Sequence, residues 1–389
     1  MSRSRGIPDT IRCMLWGRAA GRCEFLGCNR SVSCHSRTKE AANLAEAAHI
    51  IGFSSDGPRG ERELSPELAG DITNLMLLCH ECHGTVDTNR HRYPADLLRR
   101  MKAGHERRIA IVTDIDTNRQ SHILLYGTNV GHQHSPLSYQ NAACAMFPDW
   151  YPADTVPITL GMVNSSFRDK DSDFWRIESA QLRSMVTEQV RPRLANGRIQ
   201  HMSIFAFAPQ PLLMLLGYLV SDIPTAEVYQ LHREPPDWRW QEHPTGFGYV
   251  VEDPAEIKGT PALVLALSAT ITDDRVTAVL GDDATIWRVT VAHPHNDFLR
   301  SCQQLRQFRE AVRPLLDRIK ARHGNKTVLH VFPAVPVAVA VDMGRIVMPK
   351  ADLPLRIYDE NTGLGGFVHA LDLDYSSYLQ GNGSGHRQT

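Results

Sequence analysis

The stretch that decides the fold of the amino-terminal region is Asn74–Asp87, which reads N-L-M-L-L-C-H-E-C-H-G-T-V-D. Upstream of it lie Cys23-x4-Cys28 and the segment 46–50, which reads E-A-A-H-I. Two cysteine pairs with the spacing of zinc ligands therefore flank a His, an Asn and a second His in fixed order. We interpret this layout as a one-metal nuclease site on a small zinc-bound frame, which predicts phosphodiester hydrolysis.

Composition places the chain among ordinary globular proteins. It has 389 residues, of which 42% are hydrophobic and 22% are charged. This length exceeds what one core usually organises, so we expect two or three units. Residues 1–110 contain 17 Lys and Arg against 13 Asp and Glu, whereas the remainder contains 25 against 30. A basic amino-terminal region suits contact with phosphates, although ordinary scatter of surface charge would also give so small an excess.

Hydropathy and cysteine usage indicate the compartment. No apolar run reaches the roughly 18 residues that a membrane span needs, and no signal-peptide pattern opens the chain. We therefore expect a cytoplasmic protein with no membrane partner. Six of the eight cysteines precede residue 83. In a reducing compartment, clustered cysteines indicate metal ligands rather than disulfides.

The two cysteine pairs predict a structural zinc site. Cys79 and Cys82 can approach one ion from a tight turn, and Cys23 and Cys28 can do so from a separate loop. Four thiolates in a tetrahedron form the closed arrangement of structural zinc, which stabilises a region with few apolar residues. The pair Cys34–His35 is an alternative source of one ligand.

Three polar residues among these cysteines predict the catalytic chemistry. Small and apolar residues before His49 indicate a short strand, Asn74–Leu78 indicates a second strand, and a helix is expected over His83–Asn89. Phosphodiester hydrolysis needs a base for water, a cation at the phosphate and a group that fixes the base. We assign His49 as general base, Asn74 as the residue that binds the backbone beside it and orients its ring, and His83 as metal ligand. The alternative for His49 is a buried core histidine.

These residues resemble the HNH endonuclease family, whose metal finger consists of two strands and a helix. The resemblance covers roughly residues 23–87 and rests on Ala-Ala-His49-Ile, Asn74-Leu-x-x-Leu-Cys79 and Cys82-His83, which occur in the family order. It implies the same three roles, with His83 as a ligand of Mg²⁺ or a similar ion.

One departure from the family concerns the catalytic cation. Many members carry Asp or His just before the catalytic His as a second metal ligand, and this chain has Ala48 there. Glu46 and Asp87 are the candidates to replace that ligand, together with water and phosphate oxygens. The alternatives are a salt bridge for Glu46 and an exposed helix carboxylate for Asp87.

Beyond residue 120 the sequence takes on an α/β pattern and repeats itself. Strands are expected at His122–Gly127 and Pro261–Ser268, and the second is apolar as in a parallel sheet covered on both faces. Four matches occur in order: Phe174–Ile177 with Ile286–Val289, Val190–Pro192 with Val312–Pro314, a Phe–Pro–Gly element at 205, 209 and 217 with one at 332, 336 and 344, and Tyr229 with Tyr358. This order predicts two similar halves packed as a pseudo-dimer.

Two halves side by side predict a composite ligand pocket. Ligands of open α/β sheets bind at the carboxyl ends of strands, and a nearly two-fold pocket suits a nearly two-fold ligand such as a cyclic oligonucleotide. Helix N-termini can hold its phosphates, and aromatic rings can hold its bases. The candidate contacts are Tyr126, Thr128, Asn129, Asp171, Phe174, Trp175, Ser268 and Thr270. Turn chemistry is the alternative for the hydroxyl and amide residues, and sheet core is the alternative for Trp175.

The order of HNH region, linker and duplicated region resembles the HNH–SAVED effectors of CBASS, the bacterial antiphage systems that use cyclic oligonucleotides. The segment 329–345 is similar to the closing signature of SAVED domains. The resemblance implies a bacterial endonuclease that degrades double-stranded DNA once a cyclic di- or trinucleotide binds, causing abortive infection. A cognate nucleotidyltransferase would make this activator, and activation would involve homo-oligomerisation, from a dimer to a higher state.

The expected fold class and domains follow. We expect an α+β zinc-stapled HNH finger of the ββα-metal type at 1–115 and a linker at 116–120. An α/β SAVED domain would follow, with Rossmann-like (CARF-like) halves at 121–235 and 236–380, and then a disordered tail at 381–389. Structural zinc and a catalytic Mg²⁺ or similar divalent ion are the expected cofactors.

Two other functions fit parts of the sequence. A restriction-type HNH endonuclease would read modified DNA through its carboxy-terminal region, but a DNA reader should be basic and this region is acidic. A non-catalytic zinc module on a nucleotide-binding scaffold would be consistent with Ala48. A nuclease assay on plasmid DNA, with and without cyclic oligonucleotides, would separate these alternatives.

Overall fold

The structure is a computed structural model that describes residues 6–128, 137–161, 173–221 and 225–375. It divides into two compact units, Met1–Thr117 and Asn118–Thr389, which we call the head and the body. The expected linker at 116–120 spans this division. In the described part of the chain, every helix is too short or too polar to cross a membrane.

The head is a small α+β unit built around one hairpin of strands. Its elements are α1 (Asp9–Arg18), β1 (Ala45–His49), α2 (Leu64–Leu68), a 3₁₀ turn (Ile72–Asn74), β2 (Leu75–Cys79), α3 (His80–Thr88) and α4 (Ala95–Thr113). Strands β1 and β2 pair antiparallel, with His49 opposite Leu75 and Ala45 opposite Cys79. The strand–strand–helix order agrees with the sequence prediction, although α3 begins three residues before His83.

Strand β2 is the centre of the head core. All five of its residues are buried, and they pack with Leu15 of α1 and Leu98 of α4. Helix α4 begins after Pro94, whose fixed φ suits the entry to a helix. The apolar core is small, which is the situation in which a metal site contributes strongly to folding.

The first half of the body is a mainly parallel sheet with helices on its faces. It contains β3 (Gln120–Gly127), α5 (Tyr139–Met146), β4 (Tyr151–Pro152), β5 (Ile158–Leu160), α6 (Phe174–Met185), a π-helical turn (Val186–Val190), α7 (Arg191–Ala195), β6 (His201–Phe207), α8 (Gln210–Val220) and β7 (Thr225–Tyr229). The strand order is β4-β3-β6-β7, with β5 beside β3. All of these pairings are parallel.

The second half begins with a short hairpin and again has a sheet with parallel central strands and helices. It contains β8 (His232–Arg233), β9 (Pro236–Asp237), β10 (Tyr249–Glu252), β11 (Pro261–Ala266), α9 (Asp273–Leu280), β12 (Thr285–Val291), α10 (Cys302–His323), β13 (Leu329–Ala334), α11 (Val337–Ile346), β14 (Leu355–Asn361), a 3₁₀ turn (Thr362–Leu364) and β15 (Gly366–Leu373). The sheet order is β10-β12-β11-β13-β14-β15, with parallel strands at its centre. The expected boundary at 235 falls in the β8–β9 turn.

The two halves of the body meet where α8 crosses α11. A Cβ atom built on Gly217 would lie 1.9 Å from the Val341 carbonyl oxygen, and one built on Gly344 would lie 1.9 Å from that of Met214. The two glycines occupy equivalent positions of the repeat, and each lets the opposite backbone approach. The crossing is therefore two-fold in character, as the repeated sequence predicts.

The aromatic residues of the repeat confirm the same symmetry. The Phe205 ring stacks on Tyr229 with centroids 4.4 Å apart, and the Phe332 ring stacks on Tyr358 at 4.5 Å. Each Phe lies on the strand before a Pro-initiated helix. The match of Phe174–Ile177 with Ile286–Val289 is wrong, because the first segment begins α6 and the second lies in β12.

A buried histidine lies at the amino end of β6. The His201 ring stacks on Trp150 at 3.5 Å, and its Nδ1 lies 2.8 Å from the Ser121 hydroxyl, which also contacts Ser203. Its Nε2 is buried without a hydrogen-bond partner. Burial, and then the positive charges of Arg345 and Arg119, lower the pKa of His201 to about 4.

We predict that Gly217→Ala destabilises the body by roughly 1–3 kcal/mol, because the new methyl group must push α11 away from α8. Gly248→Ala is the matched control, since a Cβ there meets open space and should change stability by less than about 0.5 kcal/mol. Urea unfolding followed by tryptophan fluorescence reports on the body, which contains five of the six tryptophans. Equal midpoints for both variants would contradict the close crossing.

We also predict that the body loses stability as the pH falls from about 6.5 to about 4. Over that range the unfolded chain binds a proton at His201 that the folded chain does not, a loss of up to roughly 3 kcal/mol. In His201→Gln the loss should be smaller by that amount, whereas exposed His293→Gln should behave as wild type. An equal loss of unfolding free energy in His201→Gln and wild type as the pH falls would contradict this.

Candidate functional site

Four cysteines converge in the head as the sequence predicts. The sulfur atoms of Cys23, Cys28, Cys79 and Cys82 all lie within 4.8 Å of one another. Cys28 and Cys79 sulfurs are 4.0 Å apart. Zinc–sulfur bonds of about 2.3 Å in a tetrahedron place the sulfurs about 3.8 Å apart, so the donor set and its spacing fit one zinc ion.

Hydrogen bonds bring the two cysteine pairs together. The Glu24 amide donates to the Leu77 carbonyl at 2.8 Å, and the Leu77 amide donates to the buried Glu24 carboxylate at 2.6 Å. These bonds attach the loop with Cys23 and Cys28 to strand β2, whose last residue is Cys79. The convergence is therefore built into the backbone of the head.

Burial and hydrogen bonding shift the pKa values of three of the four thiols. Burial raises the pKa of Cys23 to about 12 and also raises the pKa of Cys82. Burial acts in the same direction on Cys79, but hydrogen bonds from the Cys82 backbone and from neighbouring thiols outweigh it and lower its pKa. A divalent cation would offset the charge of further thiolates in this small volume.

The alternative zinc ligands lie apart from the cluster. The Cys34 thiol contacts the Ser31 hydroxyl, and His35 Nδ1 contacts Thr38. Among the residues that the structure describes, the four cysteines are the only set of three or more Cys, His, Asp or Glu ligand atoms this close together.

His49 and Asn74 lie at the end of the β1–β2 pair where residues 50–74 connect the two strands. His49 Nε2 lies 3.0 Å from the Ala69 carbonyl oxygen, which can only accept, so Nε2 donates and Nδ1 keeps its lone pair. The Asn74 side chain accepts from the Ile51 amide at 2.8 Å and donates to the Ile51 carbonyl at 3.0 Å. It also donates to the Leu68 carbonyl at 3.2 Å, beside Ala69. Asn74 thus forms hydrogen bonds with both Ile51, which follows His49, and Leu68, which precedes the Ala69 that contacts the His49 ring.

His83 lies on α3, one turn from Asp87. His83 Nε2 is 3.2 Å from the Asp87 carboxylate, and this hydrogen bond raises the pKa of His83 despite its partial burial. Because the carboxylate accepts from Nε2, Nδ1 is the ring nitrogen that could bind a cation. Carboxylates commonly hold metal-binding imidazoles in this way. Asp87 thus contacts His83 through Nε2, and its role as a cation ligand stays a prediction.

Glu46 lies on β1 and is only partly exposed. Its carboxylate is 3.4 Å from Nδ1 of exposed His80, and its negative charge contributes to the raised pKa of His83. In the described ranges, no third Cys, His, Asp or Glu ligand atom joins His83 and Asp87 at metal-binding spacing. A cation at His83 would thus have to draw most of its remaining ligands from water and phosphate oxygens.

One candidate functional residue, Arg59, was not predicted from the sequence. The Arg59 side chain is only 8% exposed, and its Nη2 lies 2.8 Å from the Asp87 carboxylate. Its Nε donates to the Ile50 carbonyl at 2.8 Å and its Nη1 to the Val86 carbonyl at 3.1 Å. The only signal in the sequence was Gly57-Pro-Arg-Gly60, which indicates a turn but no partner for the arginine.

The carboxyl ends of the central body strands share one edge. The Thr128 amide, after β3, donates to the Phe207 carbonyl, and the Ser268 amide, after β11, donates to the Ala334 carbonyl at the end of β13. At this edge the Gln210 side chain accepts from the Val335 amide at 3.0 Å, which links the two halves. The hydrogen bond between Gln210 and Val335 therefore links the two halves near the strand ends where the sequence predicts the ligand.

Helix α11 does not present a free N-terminus there. Its Ala338 amide donates to the Gln230 side-chain oxygen at 3.2 Å, and the preceding Val335 amide is bound by Gln210. Both glutamines come from the first half. These two amides already have side-chain partners, and the expectation that helix N-termini hold ligand phosphates stays a prediction.

The predicted ligand residues differ in what they can offer. Tyr126 and Thr128 are buried, and their hydroxyl oxygens have no hydrogen-bond partner among the residues that the structure describes. Ser268 is partly exposed and Thr270 is exposed, so both can reach a ligand at this edge. Asn129 and Asp171 lie outside the described residues.

The two aromatic candidates lie on α6 rather than on a strand. Phe174 is fully buried in the body core, so its faces are covered and the expectation that it stacks on a ligand is wrong. Trp175 is partly buried, with its ring edge-to-face against Phe174 at 5.1 Å. The alternative that Trp175 lies in a sheet core is also wrong, because the residue is helical.

A family model identifies most of the body. The SAVED model, described as SMODS-associated and fused to various effectors sensor domain, matches residues 182–373. Residues 182–373 form a SAVED domain. The match includes α8, α11 and the whole second half of the body. No curated protein sequence matches this chain.

Solved SAVED receptors resemble the chain only weakly. The Acinetobacter baumannii Cap4 SAVED/CARF-domain containing receptor with 3'3'3'-cAAA is 13% identical, with a TM-score of 0.43 over 81% of this chain and 68% of that one. The same receptor with 2'3'3'-cAAA gives 13%, 0.42, 80% and 66%. The Moraxella osloensis receptor gives 14%, 0.41, 75% and 60%. At these values the similarities do not identify ligand contacts in this chain.

We predict that Cys79→Ser removes bound zinc and unfolds the head, because three sulfurs cannot close a tetrahedron. Native mass spectrometry should show one zinc ion in wild type and none in this variant. Cys13→Ser is the control, since Cys13 is exposed and outside the cluster. A folded head that retains zinc without Cys79 would refute the ligand assignment.

Proposed function

We propose that the chain is a metal-dependent DNA endonuclease that a cyclic oligonucleotide activates through the SAVED domain. The observation that supports this most directly is the head geometry. A four-sulfur cluster anchors β2 and α3. Asn74 directly precedes β2 and His83 lies on α3, while His49 ends the strand that pairs with β2. The finer assignments below rest on this arrangement and on the HNH resemblance of the sequence.

The general base in this proposal is His49. Its Nε2 is bound to the Ala69 carbonyl, so Nδ1 can take a proton from water. Asn74 fixes the backbone on both sides of the ring and so sets where that proton is accepted. The imidazole then returns to its resting state by losing the proton to solvent.

His83 is the proposed ligand of the catalytic cation, with Mg²⁺ or a similar ion as the expected metal. When bound, such a cation supplies positive charge to the scissile phosphate. Asp87 holds the His83 ring through Nε2, so Nδ1 would be the nitrogen that binds the ion. Glu46 stays the candidate for an additional ligand. With Ala48 in place of a family ligand, binding of the cation should be weak in the absence of DNA.

Double-stranded DNA is the proposed substrate. Arg99, Arg100, Arg107 and Arg108 on α4 are exposed. Such arginines can bind phosphates without reading bases, so cleavage should show little sequence preference. The head also carries the basic excess of the chain, whereas the body is acidic.

The SAVED domain is the proposed receptor. Its paired halves, linked near their strand ends, suit a cyclic di- or trinucleotide, made by a cognate nucleotidyltransferase in a CBASS antiphage system. Ser268 and Thr270 after β11 are the exposed candidates for contact. Activation through homo-oligomerisation and abortive infection in the bacterial cytoplasm belong to the same proposal.

We predict that plasmid DNA is cut only when a suitable cyclic oligonucleotide is present. The panel should include 3'3'3'-cAAA and 2'3'3'-cAAA, the ligands of the solved A. baumannii receptor, together with cyclic dinucleotides. His49→Ala should reduce cleavage by at least 10²-fold, the lower range of general-base contributions, without changing zinc content or ligand affinity. Exposed His91→Ala is the control and should cut as wild type.

The same assay separates the alternatives. Ligand-independent cutting of methylated DNA would favour the restriction-type reading. Intact zinc and ligand binding with no cleavage under any divalent cation would favour the non-catalytic module, and full activity of His49→Ala would refute its role as base.

A further inference from the structure

We propose that Arg59 is a positioning residue that fixes the ring of His83 relative to the backbone of His49. This inference rests on the proposed function of the head, because it assigns a role toward the cation that His83 would bind. Arg59 is not proposed to bind the cation, and its contact with His49 is to the backbone carbonyl. Its role would be exerted through Asp87.

The guanidinium of Arg59 connects the two elements of the site. Nη2 binds the Asp87 carboxylate at 2.8 Å and also reaches the His49 carbonyl at 3.4 Å. Nε and Nη1 bind the carbonyls of Ile50 and Val86. One rigid, planar group therefore joins the end of β1 to α3, which a lysine ammonium could not reproduce.

Asp87 passes this constraint to His83. One carboxylate oxygen accepts from Arg59 and the other lies 3.2 Å from His83 Nε2. With both oxygens engaged, the carboxylate cannot rotate without breaking a charged hydrogen bond. The ring is then held through Nε2, so Nδ1 is the nitrogen that would bind a cation.

The loop around Arg59 is shaped to deliver this side chain. Arg59 has a φ of +58°, in the left-handed region that non-glycine residues seldom occupy. A Cβ on Gly60 would lie 2.2 Å from the Ser54 carbonyl oxygen, and one on Gly52 would lie 2.5 Å from that of Pro58. The loop closes on itself at both glycines, and the turn between them directs Arg59 into the site.

A purely structural role for Arg59 makes a different prediction. Its bonds to backbone carbonyls would stabilise the head whether or not Asp87 and His83 were aligned. Variants would then lose cation affinity only in proportion to a lower melting temperature. A positioning role requires that cation affinity and the state of the His83 ring change in a head that remains folded and zinc-bound.

The experiment uses the full chain with Arg59→Met, Arg59→Lys, Asp87→Asn and the double variant Arg59→Met/Asp87→Asn. Mn²⁺ is the probe cation, titrated by calorimetry, and ¹⁵N-histidine NMR reports which nitrogen of His83 carries the proton. Exposed Arg62→Met, in the same segment, is the matched control. Zinc content and melting temperature are measured for every variant.

We expect Arg59→Met to weaken Mn²⁺ binding by roughly 10–100-fold at unchanged zinc content, the range typical of residues that hold metal ligands. Arg59→Lys should recover part of this loss. The double variant should be no worse than the more severe single variant, because both residues act through one path. The His83 ring should change from mainly Nε2-protonated in wild type to a mixture in Arg59→Met.

Unchanged Mn²⁺ affinity and an unchanged His83 ring in Arg59→Met would overturn the inference, as would additive losses in the double variant. If wild type and His83→Ala bind Mn²⁺ equally, the proposed metal role of His83 fails instead. The NMR comparison then decides the inference, since it reports the ring of His83 whether or not a cation binds.

Discussion

The head depends on the convergence of four sulfur atoms within 4.8 Å of one another. This convergence joins a loop near residue 25 to the end of β2 and the start of α3. His49, Asn74 and His83 all lie on or beside these elements, so their relative positions depend on the cluster. Without a cation, burial would keep the Cys23 and Cys82 thiols protonated, and the small apolar core would have to hold the hairpin alone.

The body depends instead on a close contact between helix backbones. Gly217 and Gly344 could be matched from the sequence because each lets the backbone of the opposite helix approach. Phe205 and Phe332 could be matched because each stacks on a tyrosine of its own half. The match at Trp175 failed for a physical reason. Two shared letters and one similar residue carry no periodicity, and only the surrounding apolar pattern could have shown that Phe174 begins a helix whose face is buried in the body core.

The candidate site was predictable to a similar degree. Cysteine spacing and the His–Asn–His order indicated which residues meet, because metal and catalytic chemistry restrict residue types. Arg59 could not be predicted, since its partners are mostly backbone carbonyls that any sequence supplies. Likewise, the glutamines that cap α11 use long-range contacts between halves, which no local pattern records.

The central claim is that the head holds a zinc ion among its cysteines and a second, exchangeable cation at His83 beside the His49 base. Anomalous diffraction from crystals grown with Mn²⁺, recorded at the zinc and manganese edges, tests it most directly. The account predicts one zinc peak about 2.3 Å from four sulfurs and one manganese peak at His83 Nδ1. A disulfide among the cysteines, or manganese bound elsewhere with His83 free, would contradict it.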